Sequence, residues 1–167
     1  MNPNEPLPFF VYGTLRPGEH NHDRCLLGRT STEEPARLAS AVLYDGPGYP
    51  YVVEGGTGTV LGELVTAPGD LHQELTAVLD DLEEYFGPDD PRNVYVRVAR
   101  DVETDARESV TAWVYVAAEA VARELRARGT VIPGGDWTAR GAATRPARPS
   151  SPTGSVRPQA PAAPRTP

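Results

Sequence analysis

Alternation is the feature that most narrows the folds open to this chain. Val60/Gly62/Leu64, Val94/Val96/Val98 and Val110/Ala112/Val114 carry small or apolar residues at every second position. That is the period of a strand with one face toward a core. Phe9-Phe10-Val11-Tyr12 is a short aromatic and β-branched run of the same kind. Further strands are expected at Ala39 to Tyr44, Tyr51 to Val53, Thr59 to Thr66, Asn93 to Val102 and Ser109 to Ala117. Asp45-Gly46-Pro47-Gly48 is a strong turn signal. Only two stretches read as helix. Asp70 to Phe86 is one, with Asp70 as its cap and Gly87-Pro88 as its stop. Glu119 to Arg128 is the other, with Gly129 placed to end it. Strands, one helix, then more strands do not alternate as βαβ units do. The expected class is α+β, a mixed β-barrel-like sheet with few flanking helices. No internal repeat is visible.

The 167 residues fit one domain with a remainder. The last acidic residue is Asp136. From Thr138 to Pro167 the chain holds Arg140, Arg145, Arg148, Arg157 and Arg165, seven prolines, and almost no large apolar residue. Such a segment has too little apolar surface to offset the entropy of ordering. The expected organisation is a domain over residues 1–137 and a disordered Pro/Arg-rich tail over 138–167. The tail's partner, if it has one, is not readable. Removing its five positive charges from the net −7 leaves −12 on residues 1–137. An acidic body argues against nucleic acid, whose phosphates need Lys and Arg. A single cysteine permits no intrachain disulfide. Met1 to Pro8 lacks the basic and apolar regions of a signal peptide. No apolar run approaches the roughly 20 residues of a membrane helix. The expectation is a cytoplasmic protein with no membrane partner.

The Asp70–Phe86 helix carries five acidic residues from Glu74 to Glu84. At about 100° per residue, Leu75, Val78, Leu79 and Leu82 form one stripe. Glu83 and Glu74 flank it at roughly 90°, Asp81 at about 110°, Asp80 at roughly 150° and Glu84 at roughly 170°. A flanking carboxylate can dip into an apolar pocket and still reach water. Burial there raises its pKa toward the range of acid/base work. The loop Tyr12-Gly13-Thr14-Leu15-Arg16-Pro17-Gly18 follows the first strand. Gly13 lets a ligand approach the backbone. Successive N–H groups in such a turn can cradle a carboxylate or oxyanion. Taken alone, a helix-flank Glu is most often a surface residue, and such a loop is most often a tight turn.

Together these segments resemble the γ-glutamylcyclotransferase-like family, including its γ-glutamylamine cyclotransferase branch. The resemblance rests on Val11-Tyr12-Gly13-Thr14-Leu15-Arg16 with Gly18 and Asn21, then Tyr49-Pro50 and Val60-Leu61-Gly62-Glu63-Leu64. Leu79-Asp80-Asp81-Leu82-Glu83, Tyr95-Val96-Arg97, Ala112-Trp113-Val114-Tyr115 and Gly135-Asp136-Trp137 follow in order. It implies a barrel of about six strands with helices beside it. It also implies conversion of a γ-glutamyl amine, amino acid or peptide into 5-oxoproline and a free amine. Glu83 matches the family's catalytic Glu, by the Leu-Asp-x-x-Glu spacing. Tyr12, Gly13, Thr14 and Leu15 match its substrate loop. The family often has Gly where Glu84 stands, so Glu84 competes for the role, and the helix phase favours Glu83.

Ring closure within one molecule starts with a large proximity advantage, so one carboxylate and a few N–H groups suffice. No metal and no cofactor is required. His20, His22, Asp23 and Cys25 lack the spacing of a structural zinc site. Cys25 has no histidine linked to it by a motif, which argues against a nucleophile. Tyr95 and Arg97 lie two apart and share a strand face, where they line the pocket, position Glu83 or serve the sheet. Trp113 and Trp137 read as core. The alternative function is a non-catalytic module of the same fold that binds a small carboxylate or a protein. The particular γ-glutamyl substrate and the oligomeric state are not readable.

Overall fold

The computed structural model describes residues 6–139. Five strands carry the fold: β1 (Phe9–Val11), β2 (Thr32–Tyr44), β3 (Tyr51–Thr66), β4 (Tyr95–Thr104) and β5 (Ser109–Ala117). They close into a barrel in the order β1-β3-β2-β4-β5. Among the described residues the ladders are antiparallel except where the barrel shuts, Phe9 of β1 lying parallel to Trp113 of β5. Outside the barrel lie helices α1 (His72–Leu82) and α2 (Glu119–Arg128) and a π-helical turn, His22–Leu26. This is the α+β barrel with few helices that the strand pattern indicates.

Alternation explains how the layers assemble. Phe10, Val52, Val60, Leu64, Val114 and Val116 are among the side chains that fill the barrel. Their strand neighbours Phe9, Val11, Val65 and Tyr115 face outward. There they meet Leu75 and Leu79 of α1 and Leu26 of the π-turn. Leu75 and Leu79 are fully buried, and each such side chain contributes about 1.5–3 kcal/mol. A third cluster seats Ala122 of α2 on Tyr44, Val53 and Ala117. Trp137, in a 3₁₀ turn spanning Trp137–Ala139, packs into the barrel core. Of the expected tail, Thr138 and Ala139 belong to that turn, and residues 140–167 lie outside the described residues.

The number of strands is smaller than expected because two predicted strands are one. β3 runs unbroken from Tyr51 to Thr66. Its pairing with β2 jumps from Ala39↔Thr59 to Ala41↔Glu54. The extra residues form a bulge in which Gly55 and Gly56 take φ of 118° and 78°, conformations open to glycine. In the sequence this Gly-Gly-Thr-Gly stretch reads as a gap. β2 also starts at Thr32, seven residues before the predicted start, because Thr32–Leu38 shows no clear apolar alternation. Helix α1 is shorter at both ends than predicted. Its N-cap is Leu71, with no side-chain cap, so Asp70 does not serve. Its C-cap is Glu83, well short of Gly87.

Candidate active site

The loop after β1 folds back on itself. The Arg16 N–H donates to the Gly13 carbonyl at 3.0 Å, closing a turn over Gly13–Arg16. Asn21 clasps it from the far side: its backbone N–H donates to the Thr14 carbonyl at 3.1 Å and its amide to Thr14 Oγ1 at 2.9 Å. Arg16 anchors the loop to the barrel. Its guanidinium reaches Glu63 of β3 at 2.8 Å and Asp136 at 2.6 Å. Gly13 is needed for packing, since a Cβ there would stand 2.7 Å from the ring of Pro50. Among the described residues, the backbone N–H groups of Gly13, Thr14 and Leu15 have no protein acceptor. Buried or half-buried donors left this way are uncommon in folded chains.

Glu83 faces the loop across a cavity of about 300 Å³. Tyr12, Gly13, Thr14 and Leu15, with His20 and Asn21, form one wall, Leu82, Glu83 and Glu84 another, and Gly48–Pro50, Val94, Tyr95 and Tyr115 also line it. Glu83 is half-buried, and no hydrogen bond or ion pair engages its carboxylate among the described residues. Burial pushes its pKa up to about 7. Its place at the helix C-terminus, the negative end of the dipole, acts in the same direction. Glu84 is exposed and lies at φ 53°, on the same cavity wall as Glu83 but without the burial that raises the Glu83 pKa.

Three tyrosines surround the cavity with their hydroxyls committed. Tyr12 donates to the Tyr115 carbonyl, Tyr95 donates to the Pro50 carbonyl at 2.7 Å, and Tyr115 donates to Asp80 Oδ1 at 2.6 Å. Burial raises the pKa of each, and the charge of Glu83 adds to the rise. All three phenols therefore stay protonated and lie within electrostatic reach of Glu83. Asp80 also takes a paired contact from Arg97, at 2.9 and 3.3 Å.

The family follows once this geometry is matched against known proteins. A model described as gamma-glutamyl cyclotransferase, AIG2-like, matches residues 9–139. This chain belongs to that family. A curated relative from Niallia circulans, gamma-L-glutamyl-butirosin B gamma-glutamyl cyclotransferase, is 36% identical over 108 residues. The match covers 64% of this chain and 64% of the relative, just under two thirds of that protein. Among solved structures, an uncharacterized protein from Pyrococcus horikoshii superposes with a TM-score of 0.57 at 21% identity, covering 83% of this chain and 95% of its own. An AIG2-like protein from Mus musculus gives a TM-score of 0.52 at 25% identity, covering 67% and 77%.

In this cyclotransferase-family chain the structure gathers Tyr12, Gly13, Thr14, Leu15, Tyr95 and Glu83 on one cavity. It leaves Arg97 outside the cavity wall, stacked 4.5 Å from the Trp113 ring and paired with Asp80. Asp80 itself departs from the helical-wheel expectation of a solvent-facing residue. Its side chain is 24% exposed, because the long side chains of Arg97 and Tyr115 reach round the flank of α1. Asp80, Tyr115 and Asn21 lie at or beside the site and were not picked out as site residues. Asn21 is buried with its Oδ1 unpartnered. Its only signal in the sequence was its place after the loop motif. His22, in the other acidic neighbourhood, pairs with Glu33 at 2.7 Å. No group of three or more His, Cys, Asp or Glu converges among the described residues.

Proposed function

We propose that this chain is a γ-glutamyl cyclotransferase in which Glu83 moves the proton and the Tyr12–Leu15 loop holds the substrate. One observation carries the reading: an unpaired, half-buried carboxylate shares a cavity with three backbone N–H groups that lack acceptors. In the reaction the substrate's α-nitrogen attacks its own γ-carbonyl carbon. A C–N bond forms, closing the five-membered lactam, and the γ-amide C–N bond breaks. Glu83 accepts the proton released by the attacking nitrogen and returns it to the departing amine. No water is consumed, and the products are 5-oxoproline and the free amine. The N–H groups of the loop suit the oxyanion or the substrate carboxylate. A base with a pKa near 7 is matched to neutral pH in both directions of transfer.

The wall of the cavity includes Glu83 and Glu84 but no Arg or Lys. An anionic leaving group, such as the glycine end of a glutathione-type peptide, meets no fixed positive charge there, His20 being the one basic side chain of the wall. A cationic amine meets an acidic rim and the exposed ring of Tyr49. The Niallia circulans relative is named for a γ-glutamyl conjugate of butirosin B. We therefore assign γ-glutamyl amines with a neutral or cationic amine part as the substrate class. The test is a panel of γ-glutamyl amines, amino acids and peptides, with 5-oxoproline read by mass spectrometry. Amines carrying extra positive charge should be turned over best. A preference for the tripeptide would overturn the assignment.

A further inference from the structure

The geometry points to Asp80 as the positioning residue of this site, the group that locks the last turn of α1 against the barrel and so sets where Glu83 stands. The inference rests on the proton-transfer role of Glu83 given above. Asp80 lies one helical turn before Glu83, and its carboxylate is engaged on both oxygens. Oδ1 accepts from Tyr115 Oη at 2.6 Å and from Arg97 Nε at 2.9 Å, and Oδ2 accepts from Arg97 Nη2 at 3.3 Å. The two donors are themselves placed by the sheet. Arg97 of β4 and Tyr115 of β5 are direct cross-strand partners, so their side chains rise from one face toward the same point. The Arg97 guanidinium lies over the rings of Trp113 and Tyr85, at 4.5 and 5.4 Å from their centres. Tyr115 is tied in turn to the substrate loop, because its carbonyl accepts the hydroxyl of Tyr12.

One carboxylate therefore connects the helix that carries Glu83 to two strands and, through Tyr115, to the loop opposite. Charge-assisted bonds of this kind fix direction as well as distance. Beyond Glu83 the chain is also clasped by Asn93, which accepts from the Phe86 N–H at 2.9 Å and donates to the Gly87 carbonyl at 2.7 Å, but the Asp80 bonds are the ones made by the helix's own last turn to β4 and β5. A displacement of about 1 Å at a reacting group can cost on the order of a hundredfold in rate. Around Glu83 the other titratable groups are Tyr12 and His20 from the segment after β1, Tyr49 before β3, Tyr95 of β4, Tyr115 of β5, Cys25 of the π-turn and the neighbouring Glu84. None of these contacts Asp80 except Tyr115.

The test is Asp80→Asn, read by steady-state kinetics and by carbon-13 NMR titration of Glu83. The expected kcat falls tenfold or more, with KM within about twofold, because the loop's tie through Tyr12 is to the backbone carbonyl of Tyr115 and stays in place. The Glu83 titration is expected to move from about 7 toward the ordinary glutamate value of about 4.3, as the side chain relaxes into water. A purely structural Asp80 would lower the melting temperature and leave that titration in place. A folded Asp80→Asn protein whose Glu83 titrates as in the wild type overturns the proposal. The NMR arm decides even if no substrate is turned over, an outcome that would sink the functional reading alone. If Asp80→Asn does not fold, Tyr115→Phe removes a single donor and is expected to shift Glu83 the same way by less. No shift there overturns the proposal equally.

Discussion

At Glu83 the burial that raises the carboxyl pKa also weakens the fold. The pKa is raised from 4.5 to about 7, so between those values the folded chain binds a proton that the unfolded chain has lost. Stability therefore falls as pH rises through this window, and the penalty is complete above pH 7. Glu83→Gln keeps the size of the side chain and removes the charge. It should be more stable than the wild type at pH 8, by on the order of 2 kcal/mol, and about equal to it at pH 4. Urea denaturation at the two pH values checks this. Equal stability at pH 8 would mean that Glu83 is not held in an apolar setting. Helix phase alone pointed to Glu83 as a flanking residue, and that much was legible. Its elevated pKa comes from burial beside a cavity whose walls are brought together from distant parts of the chain, which no local pattern shows. Asp80 was misread for a related reason. A helical wheel assumes a flat neighbour, and the strands here reach round the helix with long side chains.

The end of α1 is an element with a local rule of its own. The Tyr85 N–H donates to the Asp80 carbonyl at 2.8 Å and the Glu84 N–H to the Asp81 carbonyl at 3.2 Å. These are the paired bonds of a Schellman motif, with Glu84 in the left-handed position at φ 53°. Glycine is the residue that position favours, and a side chain there costs about 1 kcal/mol or more. Glu84→Gly should therefore stabilise the chain by roughly 0.5–1 kcal/mol, after allowing for the greater freedom of glycine when unfolded. Thermal unfolding measures it, and a loss of stability would show that the Glu84 side chain holds something in place. The motif also explains why the helix stops at Leu82 and not at Gly87-Pro88. The chain is turned at Glu84, a residue with no reputation as a breaker. The strands were more legible than this boundary, since β1, β4 and β5 lie within about two residues of where their apolar and β-branched runs put them. β3 was not, because its glycine bulge breaks the period without breaking the strand.

On the scale of the whole molecule, the barrel serves to hold a loop and a helix end across one cavity. β1 closes the barrel and leads straight into the Gly13–Arg16 turn. Arg16 then bolts that loop to β3 and to the turn at Asp136, and Trp137 packs into the barrel core. Asp80 performs the matching service for the helix. The two walls are thus fixed to one frame, and the proposed ring closure, in which both reacting groups belong to the same substrate, needs only that alignment. The order of the motifs along the chain was readable from the sequence. The frame that joins Arg16 to Asp136, 120 residues away, was not, because long-range ion pairs leave no local pattern. The most direct test of the central claim is the rate of 5-oxoproline release at neutral pH from a γ-glutamyl amine, compared between the wild type and Glu83→Gln. The expected result is release by the wild type and a loss of at least a hundredfold in kcat for the folded variant, within the range that general acid–base catalysis contributes. Turnover by Glu83→Gln at the wild-type rate would contradict it.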